Sequence, residues 1–123
     1  MHVVLMVEDH PQNRKLLRDI LEIRFEVKEA ASAEDAWPIL EEGGIALILM
    51  DLQLPGMDGL TMIREINKKP EMSEIPIIAI SAHAMQSTID EVLAEGCVEY
   101  ITKPITENPF QLVERFEKHI QKS

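Results

Sequence analysis

A chain of 123 residues with 46% hydrophobic side chains is long enough to bury a core and too apolar to remain disordered. A net charge of -10 argues against a nucleic-acid-binding face, which needs clustered Lys and Arg, and suits a cation or a basic partner surface. Cys97 is alone, which excludes a disulfide framework, and "MHVVLMVEDH" lacks the basic n-region of a signal peptide and the length of a membrane span. The expectation is a single cytoplasmic domain over residues 1–123.

In chain order, Val3–Val7 reads as the first strand, followed by a helical pattern through Leu16, Leu17, Ile20, Leu21 and Ile23. Phe25–Ala30 is a weaker second strand. Ser32 with Asp35 forms an N-cap pair for the next helix, inside which Pro38 predicts a kink or short break near Trp37. Leu47–Met50 is a third strand, and Asp58 caps a helix that begins at Gly59 and continues through Leu60, Ile63 and Ile66. Ile75–Ile80 is a fourth strand. The pattern Met85, Ile89, Val92 and Leu93 follows it and ends at Gly96. Glu99–Thr102 is a weak fifth strand, and Asn108-Pro109 opens a last helix carrying Phe110, Val113, Phe116 and Ile120. Strands this continuously apolar suit a parallel sheet covered on both faces, so the fold is α/β, built of five βα units.

In open sheets of this kind, sites form beyond the carboxyl ends of the strands. Glu8 and Asp9 follow the first strand, Asp51 ends the third, Ser81 the fourth and Lys103 the fifth. Carboxylates gathered at ~5 Å repel by about 3 kcal/mol per pair at an effective dielectric of ~20. A divalent cation would remove that penalty, and oxygen ligands point to Mg²⁺ or Mn²⁺ rather than zinc. Lys103 and Ser81 would bind the remaining oxygens of a phosphoryl group accepted by Asp51. Cys97 reads as a small buried hydrophobe, and His2, His10 and His119 as solvent-exposed.

The motifs "VED" at Val7–Asp9, "MDLQLPGMDG" at Met50–Gly59, "SA" at Ser81–Ala82 and "YITKP" at Tyr100–Pro104 resemble the receiver domains of two-component signalling. Ser81 and Lys103 follow Asp51 by 30 and 52 residues, the spacing of that family. The resemblance covers essentially the whole chain and implies a flavodoxin-like fold with strand order 2-1-3-4-5. It casts Asp51 as phosphoacceptor, Glu8, Asp9, Asp51 and the carbonyl of Gln53 as the Mg²⁺ site, and Lys103 as the phosphate contact. It also implies a cis Lys103–Pro104 bond. Ser81 and Tyr100 become a switch pair, and the fourth helix, fifth strand and fifth helix an output face. The partners implied are a histidine kinase or histidine phosphotransfer protein and a downstream protein target. "ISAHAM" and "VEDHPQNRKLL" are most similar to receivers of phosphorelays and hybrid histidine kinases, from which such a domain could also be excised. Glu8 stands where Asp is commoner and Ser81 where Thr is frequent, while Gln53 and His83 occupy positions that bear on attack by water.

Two other functions fit the topology less well. A flavodoxin-type electron carrier needs a hydroxyl-rich loop for the flavin phosphate, and the loop here is "EDHPQN". A phosphatase with an aspartyl intermediate needs a second Asp two residues beyond the nucleophile, where Gln53 stands.

Overall fold

A computed structural model of the chain describes residues 1–54, 56–82 and 85–121. His83, singled out above, lies outside the described residues. Five strands and five helices alternate: β1 (Val3–Val7), α1 (Pro11–Leu21), β2 (Glu26–Ala30), α2 (Ala33–Glu42), β3 (Ile45–Asp51), α3 (Gly59–Asn67), β4 (Ile77–Ser81), α4 (Gln86–Ala94), β5 (Glu99–Thr102) and α5 (Pro109–Gln121). All neighbouring strands pair in parallel, in the order β2-β1-β3-β4-β5. This is the flavodoxin-like arrangement, whose chain reverses its direction of travel across the sheet between β1 and β3.

Strand alternation sorts the core into two layers. Val4 and Met6 of β1, Leu47 and Leu49 of β3, Ile78 and Ile80 of β4 and Ile101 of β5 pack with Leu17, Ile20 and Leu21 of α1 and Val113 and Phe116 of α5. Leu5, Val7, Ile48, Met50 and Ala79 face the other way, onto Ala36 and Leu40 of α2, Met62, Ile63 and Ile66 of α3, and Val92 of α4. Continuing the same alternation past the last apolar residue of each strand places Glu8, Asp51 and Lys103 on the α1/α5 side. Ser81 and Tyr100 fall on the α3/α4 side.

The helix starts follow local chemistry. Ser32 Oγ accepts from the Asp35 amide at 3.1 Å, Asp58 Oδ1 from Thr61 at 2.8 Å, and Asn108 Oδ1 from Phe110 and Gln111 at 2.9 and 3.2 Å. The break expected near Trp37 is absent, and α2 runs unbroken through Pro38. The lost hydrogen bond falls on the carbonyl of Glu34, one turn earlier on the same exposed face, where water can satisfy it. β4 begins two residues later than the apolar run suggests, because Ile75 and Pro76 precede the ladder, although the Pro76 carbonyl still accepts from Ile48. Cys97 is buried as expected, and burial, with the nearby Glu95 charge, pushes its thiol up to about 12. His119 departs from expectation. It is half-buried, with Nε2 3.0 Å from Glu99, because α5 lays its last turn against the start of β5. No helix among the described residues is long and apolar enough to cross a membrane.

Candidate functional site

Among the described residues, three buried polar side chains stand out from the apolar interior: Glu8, Asp51 and Ser81, exposed by 0, 1 and 0%. They sit at the carboxyl ends of β1, β3 and β4. Each is carried there by a ladder that continues one step beyond the strand, through Glu8 N–H to Ala30 O, Leu52 N–H to Ile80 O and Lys103 N–H to Ser81 O. The last of these aims the Lys103 side chain back across the sheet edge. Its ammonium donates to Glu8 Oε1 at 2.8 Å and to Asp51 Oδ2 at 2.9 Å. The Lys103–Pro104 bond is cis.

One ammonium against the carboxylates of Glu8, Asp9 and Asp51 leaves the pocket with an excess of negative charge. Burial pushes the Glu8 carboxyl above its ordinary range; the Lys103 hydrogen bond and the His10 amide oppose this, and Asp51 adds to it. For Lys103, burial alone would lower the pKa, but its bonds to Glu8 and Asp51 outweigh that and hold it above the ordinary lysine range.

The remaining carboxylate oxygens are accounted for unequally. Glu8 Oε2 accepts from the His10 amide at 3.1 Å and Asp51 Oδ1 from the Gln53 amide at 2.9 Å. Asp9 Oδ1 is buried and has no hydrogen-bond donor among the described residues. The Nδ1 of His10 lies 3.3 Å from it without the alignment of a hydrogen bond. An unsatisfied anionic oxygen beside other carboxylates fits a hard divalent cation, and Glu8, Asp9 and His10 place ligand atoms within 4.8 Å of one another. His10 was expected simply to face solvent. Its imidazole is indeed mostly exposed, yet it borders the acid cluster, and its position next to Asp9 in the chain was the available signal.

Arg14 is a further member that the sequence reading did not anticipate, while Gln53, singled out there, enters through its side chain as well. Arg14 reaches back from α1 to the carbonyls of Glu8 and Asp9, at 3.2 and 3.0 Å, and so fixes the acidic loop. Gln53 bridges to Ser81 and Ala82. Gly59 closes the turn after Asp51: a Cβ there would stand 2.4 Å from the Asp51 carbonyl oxygen and 2.8 Å from Leu52 Cα, so only glycine lets α3 start this close to the site. Tyr100 stands apart from the carboxylate cluster. It is half-buried in β5, opposite Ala79, and packs on the α3/α4-side core.

A flavodoxin-like sheet with an acid pair after β1, a buried Asp ending β3 and a Lys bridging them defines a phosphoryl-accepting class of α/β protein. The model of the response regulator receiver domain matches residues 4–117, and the chain belongs to that family, the phosphoacceptor modules of two-component signalling. It is 38% identical over 104 residues to the polar-differentiation response regulator DivK of Brucella ovis, covering 84% of this chain and 85% of that one. Among solved structures, the receiver domain of sensor histidine kinase PA1611 from Pseudomonas aeruginosa PAO1 superposes with a TM-score of 0.85 at 30% identity, over 98% of both chains. That structure has a magnesium ion coordinated in its active-site cleft. A putative response regulator from Chloroflexus aurantiacus J-10-fl gives a TM-score of 0.88 at 27% identity, again over 98% of both.

Proposed function

We propose that Asp51 is the phosphoacceptor of a switch or relay module formed by the receiver domain over residues 1–123. A phosphohistidine on a histidine kinase or histidine phosphotransfer protein is the donor. A carboxylate oxygen of Asp51 attacks phosphorus, the P–N bond breaks, and the imidazole leaves with the electron pair. The observation that carries this reading is the Lys103 ammonium held between buried Asp51 and Glu8. It is poised to follow charge onto the phosphoryl oxygens as the loose transition state forms. Asp9, Asp51 and the Gln53 carbonyl would hold Mg²⁺, or Mn²⁺, with Glu8 contributing from behind, since both its oxygens already have partners. The cation supplies neutralisation of charge on the phosphorus-bound oxygens.

The module acts in the cytoplasm and is not an enzyme in the ordinary sense, although its own residues assist its phosphorylation and dephosphorylation. The apolar groove beside Lys103, lined by Leu16, Leu17, Pro104 and Ile105, offers the donor protein a docking surface, and Leu16 there is 52% exposed. Ser81 draws toward the phosphoryl group and Tyr100 follows on the same side of the sheet. A downstream protein reads the change at the face of α4, β5 and α5; Leu93 of α4, Phe110 of α5 and Val98, just before β5, are exposed. The acidic charge of the chain disfavours direct contact with nucleic acid.

Acetyl phosphate with Mg²⁺ should add one phosphoryl group per chain, read by intact mass, and Asp51→Asn should abolish the addition. Stoichiometric labelling of Asp51→Asn at another residue would overturn the assignment.

A further inference from the structure

We propose that the side chain of Gln53 is a latch: at the end of β4 it engages the Ser81 hydroxyl and the Ala82 amide, the groups a phosphoryl group on Asp51 would draw on, and so biases the site against that group. The inference rests on the phosphoacceptor reading of Asp51. Gln53 is anchored at its root, where its amide donates to Asp51 Oδ1 at 2.9 Å. From there its side chain crosses to the next strand end. Its Nε2 donates to Ser81 Oγ at 2.5 Å, and its Oε1 accepts from the Ala82 amide at 3.2 Å.

The orientation of the carboxamide is fixed by chemistry. A backbone N–H can only donate, so the oxygen end must face Ala82 and the amino end Ser81. The Ala82 amide has one proton, and while Gln53 Oε1 holds it in line, a phosphoryl oxygen cannot. The Ser81 hydroxyl gives one of its lone pairs to Gln53, which pins Oγ on the line toward Gln53. The two groups are adjacent in the chain, and a single planar amide reaches both: it takes up the Ala82 proton and holds Ser81 Oγ in place, while the hydroxyl keeps its own proton. Asn at position 53 would fall one methylene short of spanning them.

Gln53 is exposed, so on release its amide exchanges protein partners for water at little cost. Such a latch does not forbid phosphorylation. It biases the resting equilibrium, and the phosphoryl group must outcompete it. Removing it should raise affinity for a phosphoryl mimic by roughly three- to tenfold, the worth of about one net hydrogen bond, since Gln53 is exposed and both contacts are largely replaced by water.

The experiment titrates fluoroberyllate, in the presence of Mg²⁺, into wild type, Gln53→Ala and Gln53→Asn by calorimetry. It also records the Ala82 amide proton shift of each protein without metal. Both variants should bind the mimic more tightly than wild type, and their Ala82 proton should move upfield, as it does when a hydrogen bond is lost. Equal or weaker binding overturns the latch even if the shift moves, and an unmoved shift overturns the contact on which it stands. Failure of wild type to bind fluoroberyllate at all would instead remove the phosphoacceptor reading, and the latch with it.

Discussion

Glu8 shows what the site costs the fold. Its carboxyl has no exposure, and burial raises its pKa above the ordinary 4.5 despite the opposing Lys103 ammonium. A carboxyl whose folded pKa is raised stabilises the protein below its unfolded pKa, and that contribution is lost as pH climbs through the folded value. Without metal, the protein should therefore gain stability when Glu8 is made neutral: Glu8→Gln should raise the urea midpoint at pH 7, with the difference vanishing below about pH 4. A lower midpoint for the variant at pH 7 would contradict it. Clustering of acids and lysine at strand ends is legible from sequence, because each residue closes an apolar run. The reach of Gln53 is not, because a flexible side chain on a loop takes its partners from the loop it happens to face. His119 misleads for a related reason: nearness to the chain end suggests solvent, but Glu99 sits under the last turn of α5.

Among the helices, α4 is the least anchored. Of its nine residues only Val92 is buried, its N-cap position is Met85 without a side-chain cap, and its first turn carries no acid. By contrast α3, also nine residues, buries Gly59, Met62, Ile63 and Ile66 behind the Asp58 cap. Amide hydrogen exchange should therefore find α4 opening at a free energy well below the global value, with α3 protected close to it. Equal protection of the two would refute this ranking. Sequence periodicity does not reveal the difference, since Met85, Ile89, Val92 and Leu93 keep helical spacing although Met85 and Leu93 stay 66 and 43% exposed. Strands were easier to read. β1, β3 and β4 are covered on both faces and so appear as unbroken apolar runs, whereas β2 is an edge whose sequence, EVKEA, carries three charges and reads weakly. Pro38 leaves α2 unbroken because it sits on the exposed face, where water meets the carbonyl it leaves without a donor.

At the scale of the molecule, the sheet separates two apolar layers, and the alternation of strands assigns each polar group to one of them. Glu8, Asp51 and Lys103 belong with α1 and α5, while Ser81 and Tyr100 belong with α3 and α4. Binding of fluoroberyllate with Mg²⁺ should therefore shift amides of α4 and β5 through Ser81, and Ser81→Ala should suppress those shifts while sparing changes around Asp51. Identical shift patterns in the two proteins would sever the link. Order along the sheet is not written in any one segment; it follows from which strand pairs with which, and the family resemblance, more than any periodicity, pointed to β1 as an interior strand. The groove beside Lys103 and the half-buried ring of Tyr100 lie on opposite sides of the sheet, so in the proposed cycle the surface that would meet the donor is not the one on which Tyr100 would turn.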